Sequence, residues 1–108
     1  MQKRRHKRFI ITLQAQVNIG DNTYEGVISN VSEEGISSTI TTYIKTDDKF
    51  SPHKNIDLCF QLPSGDTVEL TCEIRWYLRA REKEENLMLG LHIIDPPPKY
   101  REWIGKFK

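Results

Sequence analysis

The sequence predicts an all-β fold: a six-stranded antiparallel barrel of Greek-key type, finished by one short C-terminal α-helix. Three observations carry this. Six segments alternate apolar and polar residues with period two, the pattern of strands that bury one face. No helical segment falls between them, so parallel βαβ units are excluded. One segment with helical spacing follows the last of them, behind three consecutive prolines. Six short strands hide their edges best by closing on themselves.

The elements follow in order. Phe9, Ile11, Leu13, Ala15, Val17 and Ile19 alternate with Thr12, Gln14, Gln16 and Asn18, a half-buried first strand. Gly20-Asp21-Asn22 is a turn, and Tyr24 to Val31 reads as the returning arm of a hairpin. Ser32-Glu33-Glu34-Gly35 breaks that strand, and the run from Ile36 to Thr42 has high strand propensity. Residues 45–55 are rich in turn formers and read as a loop. Ile56, Leu58, Phe60 and Leu62 resume the alternation, and Pro63-Ser64-Gly65-Asp66 turns the chain again. In the fifth strand Val68, Leu70, Cys72, Ile74, Trp76 and Leu78 share one face, with Arg75, Tyr77 and Arg79 on the other. A charged loop from Arg81 to Asn86 leads to Leu87, Leu89, Leu91 and Ile93. Asp95-Pro96-Pro97-Pro98 ends all strand pairing, because proline has no amide donor. Tyr100, Trp103, Ile104 and Phe107 then form one stripe of a helix at about 97–107, suited to cover an open end of the barrel.

The chain has 108 residues, 37% hydrophobic and 29% charged, which is one ordinary globular domain. Its core needs no metal or disulfide. Cys59 and Cys72 are too few for a disulfide framework and read as reduced thiols of a cytoplasmic protein. No run of 18 apolar residues offers a membrane span, and the basic N-terminus lacks the apolar stretch of a secretory signal.

Charge is unevenly placed. Lys3, Arg4, Arg5, Lys7 and Arg8 give residues 1–8 a formal charge of +5. The remaining 11 basic and 15 acidic residues leave residues 9–108 at −4. A basic arm on a mildly acidic body suits a small anionic ligand, since a long polyanion would be repelled by the body. Catalytic constellations are missing: His6, His53 and His92 are scattered, and neither CxxC nor HExxH occurs. No serine sits in a G-x-S-x-G turn, and neither cysteine has an adjacent cation to activate it. The sequence therefore predicts no enzyme, no metal site and no resident cofactor.

Two motifs remain. Arg4 and Arg8 stand in the register R-x-x-x-R, and Asn30-Val31-Ser32-Glu33-Glu34-Gly35 is an N-x-S-x-x-G at a strand end. Together, in this order, they resemble the PilZ domain, a bacterial receptor for cyclic di-GMP. The likeness extends to Glu73-Ile74-Arg75-Trp76 and to Leu89-Gly90-Leu91-His92-Ile93-Ile94-Asp95, so it covers nearly the whole chain.

The resemblance implies roles. Arg4 and Arg8 would grip guanine and phosphate, with Arg5 as a further phosphate contact. An arginine fork matches the O6/N7 edge of guanine and a phosphate alike, which a lysine does less well. Asn30 would bind the N1/N2 side of guanine through its one amide oxygen, about 1 kcal/mol more weakly than a carboxylate. Ser32 would contact phosphate or base, and Gly35 would allow a sharp turn and close approach of the backbone. Trp76 matches a position where some members stack an aromatic on guanine, although its parity with Ile74 equally reads as core. Arg75, on the opposite parity, either reaches the ligand or lines the surface. Glu33 and Glu34 put two negative charges between the motif residues. The implied mechanism is ordering of the arm, residues 1–8, over the barrel mouth, so that an effector protein in trans meets a changed surface.

Two other readings share the fold. An adaptor would keep the barrel without binding nucleotide. A small nucleic-acid-binding barrel would need aromatics on an outer strand face, and only Tyr77 has clearly outward parity, so no nucleic-acid partner is expected.

Overall fold

The computed structural model describes residues 8–41, 53–79 and 87–107. Six strands close into an antiparallel barrel: β1 (Phe9–Ile19), β2 (Asn22–Val31), β3 (Gly35–Ile40), β4 (Asn55–Gln61), β5 (Thr67–Arg79) and β6 (Leu87–Ile94). Around the barrel the order is β1-β2-β3-β6-β5-β4, and β4 returns to pair with β1. Helix α1 follows as Pro98–Gly105. Residues 1–7, with the expected basic arm, lie outside the described residues, as do residues 42–52, 80–86 and 108.

Alternation explains the interior. Ala15, Val17 and Ile19 of β1 are buried while Gln14 and Gln16 face out. Leu58 and Phe60 of β4, Leu70 and Cys72 of β5 and Leu89 and Leu91 of β6 meet them inside. The β1–β2 connection is a two-residue turn, Gly20-Asp21, with Gly20 at φ 59° and Ile19 paired with Asn22. Glycine at the first central position is the type II′ preference of tight hairpins. Between β4 and β5, Leu62 accepts from Gly65 N–H at 2.8 Å, with Pro63 in the second turn position and Gly65 at φ 99°.

Three prolines place the helix. Pro98 occupies its first turn, where no amide donor is needed, and Pro97 accepts from Tyr100 and Arg101. Its buried residues, Tyr100, Trp103 and Ile104, close one end of the barrel, Trp103 lying 6.0 Å from the Phe60 ring. Phe107 lies just past the helix as a turn residue, stacked 5.0 Å from Phe9. The stripe expected from the sequence is thus present, with its last aromatic outside the helix proper.

Cys59 and Cys72 are both free thiols. Burial, reinforced by the Asp57 carboxylate, pushes the Cys72 thiol up to about 12 from an ordinary 9.0. The folded thiol keeps its proton where the unfolded one has lost it, so above pH 9 the unfolded chain binds fewer protons. Stability contributed by Cys72 is therefore complete below pH 9 and falls as pH rises toward 12, by at most about 1.4 kcal/mol per pH unit. Urea midpoints should fall between about pH 8 and about pH 10.5, and Cys72→Ala should flatten that fall. An unchanged slope in the variant would assign the loss to another group.

Candidate functional site

Two strands carry their site residues outward because each contains one residue too many. In β2, Ile28 pairs with Ser38 but Asn30 pairs with Ser37, so Ser29 is an extra residue, a β-bulge. Unbroken alternation would send Asn30 inward after Ile28. The bulge turns it out and puts Val31 in the core instead. In β5, Ile74 pairs with Leu91 but Trp76 pairs with Gly90, so Arg75 is the extra residue. The indole of Trp76 is consequently 46% exposed. This corrects the core reading of Trp76, which assumed an uninterrupted alternation. Tyr77 pairs with buried Leu89 after the same shift, yet it is 39% exposed, in line with its expected outward placement.

Paired residues of neighbouring strands share a face. The register therefore draws one row across five strands: Ile10, Asn30, Ser37, Gly90 and Trp76. Arg8 precedes β1 at the end of this row. With Ile10, Asn30, Ser37 and Trp76 it lines a groove of about 470 Å³, within the 300–1,000 Å³ or so usual for small-molecule sites. Arg8 Nη1 donates to Asn30 Oδ1 at 2.6 Å, across 22 positions of sequence. A second groove, of about 340 Å³ beside Asp57 and Glu69, has two carboxylates and no basic side chain in its lining. Only the first suits an anion.

The N-x-S-x-x-G turn is held from within. Ser32 Oγ accepts from Gly35 N–H at 3.0 Å and donates to Gly35 O at 3.2 Å, while Ser32 N–H donates to the same carbonyl at 2.8 Å. The Tyr100 hydroxyl donates to Ser32 O at 2.6 Å. Burial, then Cys72, raises the Tyr100 hydroxyl well above its ordinary value of 10.0, with Arg8 pulling the other way. The phenol stays a donor throughout the neutral range. Ser32 is 5% exposed, so its hydroxyl secures the turn in this structure. Gly35 needs space rather than a left-handed backbone: it is absent from the positive-φ glycines among the described residues. A Cβ there would stand 3.2 Å from Leu91 O and 3.6 Å from Arg8 Nη2. The expected sharp-turn role is thus replaced by close approach.

The other predicted residues separate. Arg75 Nε lies 3.1 Å from Glu73 Oε1 and lines the surface outside the groove. Glu33 and Glu34 line a different groove with Pro96 and Arg101. Arg4 and Arg5 lie outside the described residues. Three residues of this row escaped the sequence reading: Ile10 and Ser37, which line the groove, and Gly90, which lies in the row between Ser37 and Trp76. Ile10 left a trace, an apolar residue in a polar slot, and it is 93% exposed. Gly90 left another, a glycine inside a strand.

Among the described residues no group of three His, Cys, Asp or Glu side chains is placed to hold a metal, and no helix is long and apolar enough to cross a membrane.

No curated protein matches the sequence. The fold is similar to the Bacillus subtilis inhibitor of motility MotI/DgrA, with TM-score 0.79 and 16% identity over 99% of this chain. The chain spans about half of that protein, 49% of its length. It is also similar to the PilZ domain of Escherichia coli YcgR solved with c-di-GMP, with TM-score 0.72 and 11% identity, covering 98% of this chain and 88% of that one. The larger YcgR structure in complex with c-di-GMP gives TM-score 0.73 and 11% identity, with 98% and 44% covered. At such identities the structural likeness speaks for the barrel alone. The sequence itself matches the PilZ domain family over residues 2–107, and to that family the chain belongs.

Proposed function

We propose that this domain is a receptor for cyclic di-GMP, which it holds in the groove running from Arg8 to Trp76. The observation that carries the reading is the contact between Arg8 and Asn30, which joins the two motifs at one place. Membership of the PilZ family and the c-di-GMP named in the YcgR structures support the ligand's identity.

The chemistry follows from the donors. In the structure Arg8 donates to the amide oxygen of Asn30, the one acceptor atom of that side chain that guanine N1–H and N2–H could use. Binding exchanges partners: Arg8 turns to the O6/N7 edge of guanine or to a phosphate, and Asn30 Oδ1 receives the guanine donors. Arg4, in register with Arg8, takes the other kind of group, and Arg5 adds a phosphate contact. Ser32 acts through the turn it holds. Because Arg8 links the arm to β1, its exchange of partners orders residues 1–8 over the groove and alters the surface that an effector protein meets. The domain signals by binding and performs no catalysis.

Calorimetric titration with cyclic di-GMP, cyclic di-AMP and GTP tests this. Cyclic di-GMP should bind about tenfold or more tightly than either, because each lacks one half of the match, guanine edges or a second base. Amide resonances of Arg8 and of residues 30–35 should shift. No binding of any of the three would leave the adaptor reading in place of the receptor.

A further inference from the structure

We propose that Gly90 is a positioning residue of the ligand site: by presenting no side chain it seats the Trp76 indole on β6 and fixes a stacking surface for a purine base. The inference rests on the receptor reading above, and adds to it a residue whose effect is exerted through another.

Gly90 is buried in the middle of β6, where glycine weakens a strand and needs a reason. Its backbone is not in the left-handed region, so the reason is not conformational. A Cβ built on Gly90 would fall within the indole of Trp76, against Nε1, Cε2 and Cδ1. The ring therefore lies directly over the glycine, in the space that any other residue would fill. Trp76 reaches that place only because the bulge at Arg75 turns it out of the core.

An exposed tryptophan held this way is half-used. One side of the ring is placed by β6, while the rest is exposed and lines the groove opposite Arg8, Ile10 and Asn30. Strand bulge and glycine both oppose ordinary strand stability, and together they do one thing: they lay a flat apolar surface in the same groove as a guanidinium. That pairing fits a ligand with both a planar base and an anionic group. Base stacking on an aromatic is worth about 1–3 kcal/mol, or roughly 5- to 150-fold in affinity, and it tolerates any purine. Discrimination among purines then falls to Arg8 and Asn30.

The test is a double-mutant cycle in the full chain, read by calorimetry with cyclic di-GMP. Gly90→Ala and Trp76→Ala should each weaken binding about tenfold. The double variant should bind no more weakly than Trp76→Ala alone, because the added methyl then has nothing to displace. Wild-type affinity in Gly90→Ala, or losses that multiply in the double variant, would overturn the assignment. If Gly90→Ala fails to fold, recovery of a melting transition in the double variant upholds the clash with the indole, and failure of both overturns it. Acrylamide quenching without ligand separates this inference from the receptor reading, with Trp76→Phe supplying the signal of buried Trp103 for subtraction. Gly90→Ala should raise the quenching of Trp76, and unchanged quenching overturns its positioning role. A wild-type protein that binds no cyclic dinucleotide overturns the receptor reading instead, while the quenching result still decides the role of Gly90.

Discussion

Replacing Arg8 with alanine is expected to weaken cyclic di-GMP binding about 100-fold and to leave the melting temperature nearly unchanged. Arg8 is exposed and its guanidinium donates to Asn30 at the surface, so little stability is at stake. The ligand has more to lose. A hydrogen bond to a charged group contributes about 1.5–3 kcal/mol, and a factor of 100 corresponds to about 2.7 kcal/mol, so losing one bidentate contact suffices. Arg8→Lys should recover little of the loss, because an ammonium keeps the charge without the planar fork. A salt titration adds a check: the residual affinity of the lysine variant should fade with ionic strength faster than that of the wild type. Equal affinities for wild type and Arg8→Ala would sink the site assignment.

Trp103→Ala should cost about 3–5 kcal/mol of stability, a large part of the 5–15 kcal/mol or so typical of a domain. Trp103 is 7% exposed and touches three aromatic rings: Phe60 at 6.0 Å, Tyr100 at 5.9 Å and Phe107 at 5.3 Å. Truncation removes the side chain that joins α1 to β4. It also loosens two neighbours that reach the site. Tyr100 supplies the donor for Ser32 O, and Phe107 stacks on Phe9, the residue next to Arg8. Urea denaturation should show the loss directly, and ligand affinity should decline with it. A change below about 1 kcal/mol would mean that α1 rests on the barrel without holding it.

The barrel was legible because its signal is repeated. Six alternating segments, glycine turns at Gly20 and Gly65, and a proline stop all say the same thing at different places. The site is legible through the family resemblance, which points to Arg8 and Asn30, and these two side chains meet. What alternation could not reveal was the facing of Asn30 and Trp76. Ser29 and Arg75 look like ordinary members of their strands, and a bulge is defined by the partner strand, which only the register supplies. Ser37 and Gly90 were missed for a related reason. Nothing local marks Ser37, the glycine at 90 does not name its partner, and both join Asn30 and Trp76 through pairing between β2, β3, β6 and β5. Asn30 thus sits where the motif says, but faces the groove because of its neighbour.

The Tyr100 clasp has a consequence for synthesis. Its hydroxyl and the Ser32 carbonyl are 68 positions apart, and β3 must wait for β6 before it has its second neighbour. A nascent chain that has emerged only as far as Gln61 already carries both arginines and the whole N-x-S-x-x-G turn, yet nothing to brace them. The turn is therefore braced only once β6 and α1 have joined the barrel.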